Sequence, residues 1–274
     1  MTLGIRMEAE HPLLMAQLYV KLAIFKYIKN LKIMDREIFS KKINHNITEY
    51  GFHINVVNQK LTPRYAYSIG LINSCGFELV LAGCMDLLYD DVISIINNIG
   101  NKLLKHDETI DAQFILGQNG LYKLRKIHES WSEIMLLGAK DFFNLDDIPS
   151  YQIYPCNDKI SFDIPNMDEI FLPNSQPIWS WLTNENNSRF PKDSKVIVNK
   201  DILFGAKALE IMRWEENEWE IYSTNSDNLN EHDMRIIPLT TMIGAESTLG
   251  RILDLEVGKG LIRELPSNEW EDWG

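Results

Sequence analysis

The sequence contains few cysteines, and none of them has a partner at a useful spacing. Cys75, Cys84 and Cys156 are the only three in 274 residues, and no Cys-x-x-Cys pair occurs. An odd number of widely spaced cysteines argues against a disulfide framework and against a thiolate zinc site. The cysteine usage therefore predicts a reducing compartment.

Long apolar runs are also missing. The longest candidate, from Leu13 to Phe25, is interrupted by Gln17 and Lys21, whereas a bilayer span needs about 20 apolar residues. The N-terminus lacks the basic start and small-residue cleavage site of a signal peptide. We therefore expect neither a membrane span nor export, and we predict a cytoplasmic protein.

Positive charge is in deficit. Lys and Arg number 27 against 39 Asp and Glu, which gives a formal net charge of -12. A negative surface field repels nucleic acids and anionic membranes and attracts basic partners. The charge therefore predicts no nucleic-acid partner and no membrane partner.

The familiar catalytic and cofactor motifs are absent. The sequence has no GxSxG, GxGxxG or HExxH; Ser68 lies in YSIGL, and Gly258-Lys259-Gly260 lacks the rest of a phosphate loop. The six histidines are scattered, with no pair at i,i+4 spacing on a predicted helix. We therefore predict no cofactor and no metal, and we favour a binding protein over an enzyme.

Length and patterning predict an α+β protein of two domains, each a small, mainly antiparallel sheet with packed helices, preceded by an N-terminal helix. Asp86 is predicted to cap the clearest helix, whose apolar face continues to Leu104. The predicted boundaries are a helical extension over 1–37, a first domain over 38–183, a linker over 184–194 and a second domain over 195–274.

The N-terminal extension is apolar nearly all round between Leu13 and Leu31. A helix of that kind must be covered, so it is predicted to dock to a partner or to form a homo-oligomer. The alternative is that Met34 is the true start and that the first 33 residues do not belong to the native protein.

Two groups of residues are candidates for function. In the first domain, His53, Tyr67 and Glu78 lie in neighbouring predicted strands and could line a catalytic or small-ligand pocket, although a buried structural histidine is the simpler interpretation. In the second domain, aromatic residues alternate with carboxylates on a predicted hairpin. That hairpin could contact a basic protein surface through Trp214, Glu215, Glu216, Glu218, Trp219 and Glu220. Its alternative is a solvated turn with both tryptophans in the core.

The first domain resembles a known family. The segments EYGFHINVV, YAYSIGL, GFELVLAG and YQIYPCND follow one another between residues 46 and 158. They resemble domain of unknown function 4262, a mostly bacterial family whose members read GWH, FAYTIGL, HPEL and a QLVWPD-like strand. Gly76 and Phe77 replace the usual His-Pro pair, and the resemblance implies no established reaction. The recurrent positions are held here by Gly51, His53, Tyr67, Gly70, Leu71, Glu78, Gln152 and Pro155.

The second domain resembles another family. Residues 195–265, from VIVNKDILFGAKALEIMRWEENEWEIYSTNSDN to LDLEVGKGLIREL, are similar to immunity protein 33, also called domain of unknown function 2185. The matching positions are Met212, Arg213, Trp219, Leu253, Asp254, Gly258 and Arg263. The resemblance implies a bacterial immunity protein that occludes a cognate toxin, and the acidic charge predicts that the toxin has a basic surface.

Overall fold

The computed structural model describes residues 36–57, 63–156, 160–183, 194–225, 229–267 and 269–273. The chain divides into two compact units, Met1–Tyr50 and Gly51–Gly274. The described part of the first unit is a single helix, α1, over residues 36–50. The predicted apolar helix from Leu13 to Leu31 lies outside the described residues, so its docking or oligomerising role stays a prediction.

The second unit contains two six-stranded sheets, each mainly antiparallel with one parallel strand pair. The predicted α+β class is therefore confirmed. The unit boundary after Tyr50 separates α1 from both sheets. The predicted linker lies outside the described residues except for Ser194, so the boundary between the two predicted domains is untested.

The first sheet has the strand order β1-β2-β3-β6-β5-β4. Its elements in chain order are β1 (His53–Val57), β2 (Tyr65–Ile69), α2 (Ile72–Cys75), β3 (Glu78–Ala82), α3 (Tyr89–Leu104), β4 (Gln113–Ile115), β5 (Leu121–Lys126), α4 (Glu129–Met135), α5 (Leu137–Phe143) and β6 (Ser150–Pro155). A 3-10 helix follows over Pro177–Thr183.

One face of this sheet is covered by α3. The helix buries residues at i, i+3, i+4 and i+7 spacing from Val92, which places them on a single stripe against Leu79 and Leu81. Its N-terminus begins at Tyr89, and the Asp91 carboxylate accepts a hydrogen bond from the Leu88 amide at 3.1 Å. The predicted cap at Asp86 is therefore wrong, and Asp91 acts as the capping carboxylate.

The second sheet has the strand order β10-β7-β9-β8-β11-β12. Its elements are β7 (Lys195–Asn199), α6 (Lys200–Leu203), β8 (Glu210–Glu215), β9 (Glu218–Tyr222), β10 (Met234–Pro238), α7 (Leu239–Ala245), a 3-10 helix (Ser247–Asp254), β11 (Gly260–Ile262) and β12 (Glu271–Trp273). Alternate residues such as Val196, Ile211 and Ile221 bury one face against apolar residues of α7 and the 3-10 helix. The other face carries a mixture of polar, aromatic and aliphatic side chains.

Polar contacts connect the segment after β3 to the second sheet. Asp86 forms ion pairs with Lys200 at 3.2 Å and with Arg235 at 3.0 Å. The amide of Phe162 donates to the carbonyl of Leu203 at 2.9 Å.

Among the described residues, no helix is long and apolar enough to cross a membrane.

Asp163 is a buried carboxylate close to this junction. It accepts hydrogen bonds from the Ser161 hydroxyl and from the Met85 amide. Its carbonyl accepts from the Trp179 indole at 2.9 Å. Burial raises the pKa of Asp163 to about 6, and the hydrogen bonds offset only part of that rise.

Asp163 therefore gives a pH prediction. Because its pKa is higher in the folded state than the ordinary 3.8, the folded chain binds the proton more tightly, and stability falls as the pH rises through about 6. The free energy of unfolding of the wild type relative to Asp163→Asn should drop by about 2 kcal/mol between pH 4 and pH 7. Urea denaturation at a series of pH values measures this difference, and a constant difference over that range would contradict the assignment.

Gly100 in α3 gives a packing prediction. A Cβ at this position would lie 2.6 Å from the Phe52 ring, so alanine, normally the better helix former by about 1 kcal/mol, should be worse here. We expect Gly100→Ala to lower the free energy of unfolding by about 1–2 kcal/mol. Gly250→Ala is the control, because that position is exposed and a Cβ there meets nothing within 4 Å. Equal stability of the two variants in urea would contradict the expected clash.

Candidate functional site

The residues predicted as an alternative catalytic group lie on one face of the first sheet. His53 pairs with Ile69, and Asn55 pairs with Tyr67, so these side chains share the face opposite α3. His53, Tyr67 and Glu78 are all buried. The Tyr67 hydroxyl accepts hydrogen bonds from the Asn55 amide at 2.7 Å and from the Gly138 backbone amide at 3.1 Å.

The Glu78 carboxylate holds the turn that follows β2. One oxygen accepts from the backbone amides of Gly70 at 2.7 Å and Ile72 at 3.2 Å. The other oxygen accepts from the Ser68 hydroxyl, whose oxygen in turn accepts from the Leu79 amide at 2.8 Å. Glu78 thus connects β3, the end of β2 and the start of α2 within the interior.

Burial raises the pKa of Glu78, and its hydrogen bonds to Ser68, Gly70 and Ile72 partly offset that rise. Burial also raises the pKa of Tyr67. Both upward shifts come from burial, while the hydrogen bonds engage each side chain with neighbouring groups of the fold. These contacts favour the structural interpretation of this group over the catalytic one.

The hairpin predicted to bind a partner lies on the second sheet. β8 ends at Glu215 and β9 begins at Glu218, so the turn is at Glu216 and Asn217. One row of cross-strand neighbours spans all six strands on the face opposite the core. It consists of Ile236, Ile197, Glu220, Met212, Gly260 and Trp273.

We call this surface the open face. It consists of the row of six residues across the strands together with four residues that alternate along the same side of β8 and β9: Glu210, Trp214, Glu218 and Tyr222. Trp214 is 52% exposed and Trp273 is 43% exposed. Between them is a cavity of about 120 Å³, which we call the tryptophan pocket. It is lined by Glu210, Ile211, Met212, Trp214, Glu220, Tyr222 and Trp273.

Gly260 allows Trp273 to form a wall of this pocket. A Cβ at position 260 would lie 2.7 Å from the Trp273 indole and 2.9 Å from the Ile211 carbonyl. The absence of a side chain therefore lets the indole lie directly over β11. Any larger residue would displace it.

The tryptophan pocket is electrostatically negative. Burial raises the pKa of the Tyr222 hydroxyl, and the neighbouring carboxylates Glu220 and Glu210 raise it further. Both carboxylates are thus close enough to disfavour another negative charge. Two indoles beside two carboxylates form a suitable environment for a cation, through cation–π attraction and direct charge pairing.

The structure places the six predicted hairpin residues on two sides of the sheet. Trp214, Glu215, Glu216 and Glu218 are exposed, and Glu220 is half-buried. Trp219, in contrast, is only 2% exposed and lies in the core, with the Arg213 guanidinium 4.8 Å from its ring. Trp219 therefore does not belong to the surface that we predicted from the sequence.

The tryptophan pocket also contains residues that the sequence analysis did not single out, among them Glu210, Met212 and Trp273. Glu210 and Met212 alternate with Trp214 along β8, so the period of two in this strand was the signal that identifies them. Trp273 reaches the pocket through the β11–β12 pairing. No local pattern in the sequence specifies that pairing.

The role of Glu78 can be tested by stability. Glu78→Ala would leave the amides of Gly70 and Ile72 and the Ser68 hydroxyl without their acceptor, and we expect the free energy of unfolding to fall by about 3 kcal/mol or more. Glu78→Gln keeps one oxygen for the backbone amides and should lose less. Exposed Glu133→Ala is the control. Wild-type stability of Glu78→Ala in urea would argue against a structural role.

Among the described residues, no group of three or more His, Cys, Asp or Glu side chains is arranged to hold a metal ion. The chain matches no curated protein and no solved structure. The resemblance of residues 195–265 to immunity protein 33 therefore remains a prediction. The resemblance of the first domain is confirmed, since residues 46–162 match the family model described as "Domain of unknown function (DUF4262)".

Proposed function

We propose that this chain is a bacterial immunity protein that binds a cognate protein toxin through the open face of the second sheet and so occludes it. The observation that carries the proposal is the tryptophan pocket, in which Trp214 and Trp273 flank the carboxylates Glu210 and Glu220.

Large exposed aromatic side chains support binding to a protein. Tryptophan is the residue most enriched among those that dominate binding energies at protein interfaces. Here two exposed indoles share the open face with half-buried Ile197 and Met212 and with exposed Ile236. A sheet face of six strands can supply the area of about 600–1,000 Å² per partner that a specific complex needs.

Charge supports a basic partner. The chain carries a formal net charge of -12, and the tryptophan pocket adds a local concentration of carboxylates. A Lys or Arg side chain from the partner would fit the pocket, because its apolar stem would contact the indoles while its charge faces Glu210 or Glu220. The same field would accelerate encounter with a basic surface at low salt.

The resemblance of residues 195–265 to immunity protein 33 supports a toxin as the partner. An immunity protein acts by covering or distorting its target, so it requires a complementary surface and no catalytic group. Every open-face residue except Trp273 lies within the region that carries this resemblance. The buried contacts of Tyr67 and Glu78 give no comparable support to the enzyme alternative.

Co-expression tests the proposal. The chain should protect cells from a toxin encoded beside it, and the purified pair should form a complex. The double variant Trp214→Ala with Trp273→Ala should raise the Kd by about 100-fold or more and abolish protection. Glu210→Lys with Glu220→Lys should slow association most strongly at low salt. Titration calorimetry and stopped-flow binding measure these effects.

The matched control is Ile115→Ala with Leu137→Ala, which removes two exposed apolar side chains from the first sheet region. That variant should bind and protect like the wild type. Failure to protect against every neighbouring toxin would overturn the toxin assignment. A complex that tolerates the tryptophan variant would overturn the assignment of the open face.

A further inference from the structure

A second concave site lies at one end of the first sheet, far along the chain from the tryptophan pocket. It is a cleft of about 560 Å³, within the range of about 300–1,000 Å³ typical of small-molecule sites. The end of β5 and the start of α4 form one wall, and the segment that leads into β6 forms the other. The lining residues are Lys126, Ile127, His128, Glu129, Ser132, Asp147, Ile148, Pro149, Ser150 and Asp168.

Ser150 is the most informative residue of this cleft. Its side chain is only 3% exposed, and its hydroxyl has no hydrogen-bond partner among the described residues. The backbone around it is fixed, because its carbonyl accepts from the Ile127 amide at 3.0 Å and its neighbour Pro149 accepts from the Glu78 amide at 2.8 Å. A buried hydroxyl without a partner is costly. Its position in a cleft points to a ligand that supplies the missing hydrogen bond.

The charges around Ser150 indicate which ligand. Glu129, Asp147 and Asp168 line the cleft and are exposed, whereas Lys126 is its one lysine and no arginine is present in the lining. Three carboxylates against one ammonium leave a net negative potential, which disfavours anionic ligands. Since the described carboxylates are not grouped to hold a metal ion, an organic cation is the ligand class that fits.

Hydrogen bonds fix the orientation of His128 in the wall of the cleft. Its Nδ1 accepts a hydrogen bond from the Ser130 backbone amide at 3.2 Å. The neutral ring therefore carries its proton on Nε2. The His128 amide donates to the Met167 carbonyl at 2.8 Å, and the Ser130 hydroxyl oxygen accepts from the Phe171 amide at 2.8 Å. These contacts make this wall of the cleft rigid before any ligand binds.

We propose that this cleft binds a small organic cation, an amine or a guanidinium. The rim carboxylates Asp147 and Asp168 supply the opposite charge, and the Ser150 hydroxyl accepts a hydrogen bond from an N–H group of the ligand. The site shares no residue with the tryptophan pocket. The proposal is therefore independent of the toxin-binding function.

Agmatine, which carries both an ammonium and a guanidinium, is the probe. Titration calorimetry with the full chain should show saturable binding that weakens as salt rises. 4-Guanidinobutyrate, in which a carboxylate replaces the ammonium, should bind more weakly. Asp147→Asn with Asp168→Asn should raise the Kd for agmatine by about tenfold or more, because two of the three carboxylates of the cleft are neutralised.

Ser150→Ala separates a ligand contact from a structural one. It removes the hydroxyl without adding volume, so it should weaken agmatine binding while the Tm stays equal to or above that of the wild type. The matched control is Asp107→Asn with Asp111→Asn, which removes two exposed carboxylates outside both concave sites and should leave the agmatine Kd unchanged. No saturable agmatine binding, or binding insensitive to the Ser150 and Asp147/Asp168 variants, would overturn the proposal. An equal loss of binding in the control variant would show that agmatine responds to net charge alone and would equally overturn it.

Discussion

The hydrogen bonds of the Glu78 carboxylate are the constraint on which the first sheet and its cleft depend. The side chain holds the turn after β2 through Gly70 and Ile72, while its own backbone amide binds the carbonyl of Pro149. One residue therefore fixes both a central strand connection and the segment that carries Ser150. A buried carboxylate is stable in this position because backbone amides and a hydroxyl replace the water it loses. Its chemistry serves the fold, and its amide holds Pro149, which lines the cleft next to Ser150.

The two sheets use their second faces differently. Helices cover the first sheet on both faces. Helix α3 lies on one side, and α4, α5 and the 3-10 helix over Pro177–Thr183 lie near the other, where Tyr65 and Trp131 contact Trp179. The second sheet buries one face only and leaves Trp214 and Trp273 exposed on the other. An antiparallel sheet tolerates one solvated face, but a solvated face is normally polar. The exposed indoles on this face therefore support the proposed binding surface.

Patterns of neighbouring residues predicted much of this fold, whereas pairings between distant residues were not predictable. The alternation of Phe52, Ile54 and Val56 indicated β1, and the helical spacing from Val92 indicated α3. Asp86 looked like a helix cap because nothing local reveals its ion pair with Arg235, 149 residues later. The hairpin shows the same division. Alternation distinguishes exposed Trp214 from buried Trp219, but only the β11–β12 pairing brings Trp273 to the site.

Net charge alone does not identify a binding site, and this chain shows why. A formal charge of -12 predicts attraction to any cation, yet exposed carboxylates such as Glu216 and Glu218 remain solvated, and Glu218 already pairs with Lys195 at 2.7 Å. Surface pairs of that kind contribute little. In the two proposed sites, the carboxylates line a cavity that offers a second contact: the indoles in the pocket of Glu220, and the Ser150 hydroxyl in the cleft of Asp147. The two cavities also differ in size, about 120 Å³ against 560 Å³, so the ligand proposed for the tryptophan pocket is one basic side chain of a larger partner and that proposed for the cleft is a whole small molecule.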